Sequence, residues 1–470
     1  MLSWIALTAL LAFSAASYLL ARRKIARAPR TGRLHSLPGY HGAFVALWAA
    51  IPAALLLLLL VALGSRVEQA VLEARAPAAV NQLPAEQIEL FYRDARSGGA
   101  PQGAYEGELA EALAAATVDA ARIHQLVVGG TYALAAILAL LGLGLAYRRL
   151  NPQFRARNAV EAWVTVALVA CSAAAVLTTL GIILSLFWEA LRFFQSVSPI
   201  DFLFGTKWDP QIAMRSDQVA AEGAFGALPL FAGTFLVMLI AMAVAAPIGL
   251  FSAIYLSEYA RRGTRAVVKP LLEILAGVPT VVYGFFAALT VGPLFRAGFN
   301  ALGAQIGGPL GEYLMQVQNQ MALTAGVVMG IMLIPFVSSL SDDIINAVPQ
   351  SLRDGSYAMG ATKSETVKKV ILPAALPGIM GALLLAVSRA VGETMIVTMA
   401  AGLQARMTVN PLETVTTVTV QIVTLLTGDQ EFDSPKTLAA FGLGLTLFLV
   451  TLALNVVALR VVQKYREQYD

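Results

Sequence analysis

Apolar residues gather along this chain in long runs separated by polar stretches, without the strict alternation of a half-buried strand. A helix crossing a bilayer needs about 20 mostly apolar residues, because about 30 Å of hydrocarbon is traversed at about 1.5 Å per residue. Nine runs qualify: Leu2–Leu20, Gly42–Gly64, Leu126–Tyr147, Val160–Trp188, Leu228–Leu256, Val267–Leu289, Leu323–Leu340, Leu376–Met399 and Leu438–Val461. The expected fold class is therefore an all-α polytopic membrane protein. The first run lacks a basic start and is followed by Arg22, Arg23, Lys24 and Arg27. That order is expected of an uncleaved anchor with its N-terminus outside, not of a signal peptide.

Basic residues test this orientation, since loops on the cytoplasmic side carry an excess of Lys and Arg. With the N-terminus outside, the inside loops hold 21 and the longer outside segments 11, and Arg389 falls within a run. The C-terminus is then expected in the cytoplasm, and a bacterial inner membrane is the expected location. Composition agrees: 58% of residues are hydrophobic and 13% charged, where a soluble domain carries about 25% charged residues. The net charge of +4 is spent on orientation, so membrane lipid and not nucleic acid is the expected surroundings. The single cysteine, Cys171, and the scattered His35, His41 and His124 give neither a disulfide framework nor metal-ligand spacing.

Two organisational parts are expected. Residues 1–158 form an N-terminal extension of three spans with a polar outside segment, 65–125. Within it Pro84–Ile123 reads as one or two short helices, broken at Ser97-Gly98-Gly99-Ala100-Pro101. Residues 159–470 carry six spans: a first core helix and outside loop over 159–228, then the remaining spans over 229–461. No internal repeat is visible.

The inside connection 342–375 is long and patterned. A short helix from Ser351, a turn at Gly360 and a second helix Lys363–Ile371 are expected. Met359, Val367, Val370 and Ile371 are apolar points on polar turns. Such a helix pair can fill a groove on a soluble partner; an ordinary interfacial re-entry helix is the alternative. Asp354-Gly355-Ser356-Tyr357-Ala358-Met359-Gly360-Ala361-Thr362, with nine residues between Gly360 and Val370-Ile371-Leu372-Pro373, resembles the EAA loop of type I ABC-importer permeases. The resemblance implies a coupling loop that docks on an ATP-hydrolysing subunit through Asp354, Gly355, Ser356, Met359, Gly360, Ala361, Thr362, Val370, Leu372 and Pro373. Asp354 stands where that family usually has Glu, and Gly355-Ser356 replace its Ala pair. No Gly-Lys dipeptide occurs, so the chain has no phosphate-cradling P-loop. It is not expected to be an enzyme alone or to hold a cofactor; ATP and Mg would belong to the partner ATPase.

Arg389 and Glu393, four residues apart in the eighth run, share a face if that run is one helix. An arginine near the middle of a span costs roughly 2.5–3.5 kcal/mol, so this face is expected to line a polar cavity or a subunit seam. A structural ion pair that fixes the helix is the alternative. The string Arg389-Ala390-Val391-Gly392-Glu393-Thr394-Met395 is similar to the R-A-x-G-E-T-M segment of phosphate-transport permeases. Asp201–Trp208, Ile254–Tyr259 and Gly277–Gly284 resemble, in order, further segments of the PstC type within that family.

This resemblance covers most of residues 160–470 and leaves 1–158 unexplained. It implies a type I ABC-importer six-helix core and an importer of inorganic phosphate. Arg389 and Glu393 would lie on its transport pathway. The implied partners are a second, PstA-like permease, two PstB-like ATPase subunits and a periplasmic phosphate-binding protein. Gly277 and Pro279 are a possible hinge, or a packing kink. Glu273, four residues from Lys269, reads as half of a snorkelling pair. Other readings remain: a permease for sulfate or molybdate, a secondary transporter, or a signalling or scaffold component.

Overall fold

The computed structural model describes residues 2–27, 34–74, 80, 84–98, 107–210, 223–427 and 434–466. The Gly99-Ala100-Pro101 interruption and, in the charge count, Arg30, Arg33, Arg75 and Arg215 lie outside these residues. Among the described residues nine helices are long and apolar enough to cross a membrane. The chain divides into two compact units, Met1–Leu177 and Thr178–Asp470.

In the first unit α1 (Leu2–Ala26), α2 (Pro38–Glu73) and α4 (Glu108–Arg148) are the long helices, and α3 (Ala85–Ser97) is short. Pro38 opens α2 where its missing N–H leaves no bond unmade. At the crossing of α2 and α4, Gly142 lets the backbones touch: a Cβ there would meet the Trp48 carbonyl oxygen at 2.0 Å. The two helices outrun a bilayer, at roughly 54 and 62 Å against about 30 Å of hydrocarbon. Their overhanging ends, together with α3, enclose a small core of Leu72, Phe91, Tyr92, Leu113, Ala116 and Ile123. Gly98, at φ 98°, ends α3. Only α3 is a separate short helix of the kind expected; from Glu108 onward the stretch is already α4.

α5 (Ala156–Ser196) begins in the first unit and ends in the second. There follow α6 (Pro199–Phe204) and a two-stranded antiparallel ribbon, β1 (Trp208–Asp209) with β2 (Ala224–Phe225), pairing Trp208 with Phe225. The second unit is organised on α7 (Leu228–Ile254, continued by a π turn Tyr255–Tyr259) and α12 (Ala322–Ala347). Glycines seat one against the other: a Cβ on Gly326 would meet Ile240 at 2.6 Å, and one on Gly330 would meet Val244 at 2.8 Å. Gly330→Leu is expected to destabilise the purified protein by about 1–3 kcal/mol, as overpacking does. Gly298→Leu, where a Cβ meets open space, should leave the melting temperature unchanged.

Two expected spans are drawn differently. Val267–Leu289 is not one helix: α8 (Arg262–Ala276) ends, and α9 (Thr280–Phe286) starts a new one that runs through a π turn, Ala287–Val291, into α10 (Gly292–Ile306). The cause is Pro279, which lacks an N–H and pushes the residue before it out of helical geometry. The sixth spanning helix is thus Thr280–Ile306, and α8 is a separate amphipathic helix. After α11 (Gly308–Met315), α12 and α13 (Gln350–Ala358) comes α14 (Lys363–Thr366), which passes through a π turn, Val367–Ile371, into α15 (Leu372–Val391). The eighth run then breaks at Gly392-Glu393-Thr394 before α16 (Met395–Ala400), and α17 (Val418–Leu426) and α18 (Pro435–Arg466) complete the unit. Pro293 and Pro373 each follow a π turn by two residues. A proline ring crowds the carbonyl four residues earlier, and a wider turn relieves that contact.

Candidate functional site

The coupling-type loop is the helix–turn–helix that the spacing predicts. α13 stops at Met359, and Gly360 takes φ 82°, a conformation that costs other residues roughly 1–2 kcal/mol. Thr362 then opens α14 with a reciprocal capping box: the Glu365 N–H donates to Thr362 Oγ1 at 3.4 Å, and the Thr362 N–H donates to Glu365 Oε2 at 3.0 Å. Ser356 and Thr366 hydroxyls bond across the turn at 2.9 Å, and the Ala361 N–H reaches the Ser356 carbonyl. Asp354 accepts from Gln350 at 3.1 Å, while Gly355 is exposed on the helix.

The apolar points divide. Met359 is 89% exposed, whereas Val367 and Ile371 are buried among Ala253, Ile345 and Ile379, and Val370 is half-buried. Leu372 and Pro373 form the first turn of α15 and are half-buried. Only Met359 therefore projects from the loop as an apolar knob of the four expected.

α13 is fastened from behind. The Arg353 guanidinium is buried, donating to the carbonyl oxygens of Val348 and Ile345 at the end of α12 and to Glu258 Oε1 at 3.2 Å. Beside it Asp342, 2% exposed, accepts from both Arg265 (3.0 and 3.1 Å) and Lys269 (2.9 Å) of α8. Asn346 also donates to Asp342, at 2.9 Å. Lys269 reaches Asp343 at 3.1 Å as well, so its partners are these two carboxylates and not Glu273 as expected. The bond to Asp342 raises the Lys269 pKa above its ordinary value, against the lowering effect of burial. A raised lysine pKa stabilises the folded protein throughout the neutral range, and that contribution fades only as the pH climbs through the raised value. None of Asp342, Asn346, Arg353 or Glu258 was a sequence candidate. The available signal was a pair of acids ending one span, opposite a basic inside loop.

The Arg389–Glu393 pairing does not form. Because α15 ends at Val391, Arg389 lies in its last turn and not near its middle, exposed, with its guanidinium 5.9 Å from the Phe336 ring centroid. Glu393 lies in the break, 9% exposed. Its Oε1 accepts the Met395 N–H at 3.1 Å, and its carbonyl accepts the Thr419 hydroxyl at 2.9 Å. Around it Thr416, Thr417, Thr419 and Gln421 are buried and hydrogen-bonded, and Gln421 accepts from the Trp208 indole at 3.0 Å. Gly277 and Pro279 form the break between α8 and α9, which Tyr283 bridges by donating to the Leu275 carbonyl at 2.9 Å.

Residues 245–467 match the family model described as a binding-protein-dependent transport system inner membrane component. Residues 7–178 match one described as a phosphate ATP-binding cassette transporter. A probable ABC transporter permease protein, YqgH of Bacillus subtilis, is 34% identical over 60% of this chain and 84% of its own length. The phosphate transport system permease protein PstC of Mesorhizobium japonicum is 32% identical over 59% of this chain and 82% of its own. The chain belongs to the PstC family of ABC-transporter permeases. As a member of the PstC family it is a multi-pass inner-membrane protein. PstC of Haemophilus influenzae, 29% identical, likewise aligns over 60% of this chain and 85% of its own length.

Proposed function

We propose that the chain is the permease subunit of an ABC importer that carries inorganic phosphate across the inner membrane, with its N-terminus outside and its C-terminus in the cytoplasm. The observation that carries this reading is the loop Gln350–Ile371, a capped helix–turn–helix braced against the spans, with Met359 its most exposed large apolar side chain. Such a loop is built to be pushed by another protein. A separate PstB-like ATPase pair, holding ATP and Mg, would dock on Met359 and the surrounding residues 354–362. A PstA-like permease would complete the pathway, and a periplasmic phosphate-binding protein would deliver the anion. Support for phosphate as cargo comes from the named PstC relatives and from the family described as a phosphate transporter.

Arg389 is placed by this reading on the anion route, and Glu393 holds the broken helix beside it. Gly277–Pro279 is the flexure between α8 and the following span. Residues 1–158 form the extension, ahead of the first core helix and outside loop (159–228) and the transport domain 229–461. The test is reconstitution of the four kinds of subunit in vesicles. Phosphate accumulation is expected only with ATP, and excess sulfate or molybdate should not compete. Phosphate carried down an ion gradient by this polypeptide alone would overturn the proposal.

A further inference from the structure

Of the nine residues of α13, Arg353 alone is buried. The coupling helix is therefore held to the protein behind it mainly through one side chain, besides its peptide connections and the Ser356–Thr366 hydroxyl bond. That side chain grips two elements at once. Its nitrogens donate to the last carbonyls of α12, at Val348 and Ile345, and to Glu258 in the π turn that ends α7. Both charged side chains of the pair are less than a tenth exposed, at 9% and 8%. Removing either partner from a buried pair leaves an uncompensated charge, so the pair resists being pulled apart. Arg also offers a rigid fork of donors, which fixes direction as well as distance. Lys363, at the start of α14, lies 5.2 Å over the Tyr259 ring and adds a second contact to the same π turn.

We propose that Glu258–Arg353 is a transmission latch: it makes the coupling helix and the ends of α7 and α12 one moving body, so that a displacement of α13 reaches the spans. The inference rests on the reading of residues 342–375 as the coupling loop. Neither residue touches the transported anion; both act as positioning residues. Asp342 extends the body to α8 through Arg265 and Lys269, and the moving body then meets the sixth span at Gly277–Pro279.

The test uses the full importer in vesicles with inorganic phosphate. Glu258→Gln keeps the shape of the side chain and leaves Arg353 its two carbonyl partners. ATP hydrolysis should persist, while phosphate moved per ATP falls about tenfold, the scale of a typical coupling free energy. A fall of hydrolysis and uptake in the same proportion, with the ratio unchanged, overturns the latch. So does wild-type behaviour. Should that variant not assemble, spin labels decide with the latch intact. Arg261→Cys and Ser351→Cys, in a Cys171→Ser background, report the distance from the residue that opens α8, two past the π turn, to α13. That distance should be the same in nucleotide-free and ATP-trapped complexes, and a change beyond the width of its distribution overturns the proposal. A wild-type complex that hydrolyses ATP but moves no phosphate would sink the cargo reading alone, and the label distances would still judge the latch.

Discussion

Arg389→Gln is expected to lower phosphate uptake by roughly a hundredfold, the scale on which losing one fixed charge partner slows a charge-moving step. Assembly and membrane insertion should survive the change. The argument starts from what Arg389 does not do. It makes no ion pair with Glu393, and its guanidinium rests near the Phe336 ring while remaining exposed. A structural arginine would be saturated by its own chain, as Arg353 is. An exposed cation in a spanning helix is costly unless it faces a polar cavity or a neighbouring subunit. Its position one turn before the break also places it where backbone groups leave the helix ladder. Uptake by the variant is the measurement, with Arg389→Lys as the charge-preserving comparison, expected to fall between the two. Undiminished uptake in Arg389→Gln would remove Arg389 from the pathway; loss of assembly instead would make it a seam residue.

Asp342→Ala should be the most destabilising single change in the cluster behind the coupling-type loop, at about 3–5 kcal/mol. One almost fully buried carboxylate neutralises both Arg265 and Lys269 and also accepts from Asn346. Without it, two cations of the same helix, each about a third exposed, are left facing each other with their shared counter-charge gone. The loss should register as a lower melting temperature in detergent and lower abundance in the membrane. Asp343→Ala is the control. Asp343 is 64% exposed and shares only Lys269, so its removal should cost about 0–1 kcal/mol, as exposed pairs do. Equal effects from the two substitutions would mean that burial does not set the strength of this cluster.

The spans were legible because the bilayer imposes a length and a composition that hydropathy alone records. All nine expected runs overlap a spanning-length helix. The misreadings fall where an average conceals a local rule. Val267–Leu289 is apolar overall, yet α8 within it repeats with helical period and Pro279 ends it. Gly392-Glu393-Thr394 interrupts an equally apolar run, because a glycine followed by an acid and a hydroxyl residue can satisfy backbone groups that leave a helix. Assuming a continuous helix there made Arg389 and Glu393 look like partners. The loop was readable from Gly360 and its spacing, since a left-handed turn and a capping box are local in sequence. Its fastening was not. Arg353 and Glu258 are 95 residues apart, and Asp342 lies 77 residues from Arg265. No pattern of period or spacing joins such pairs.

Met359 has a consequence for the life of the subunit in the cell. At 89% exposed, it is a greasy thumb held out in water by a turn that cannot fold it away. A polypeptide released into the membrane without companions would advertise that surface to chaperones and proteases, which sample exposed apolar groups. Orphan copies should therefore be short-lived, and their half-life should lengthen when the companion that covers the methionine is made alongside. Stoichiometry would then be kept by degradation of the surplus, with no need for matched synthesis.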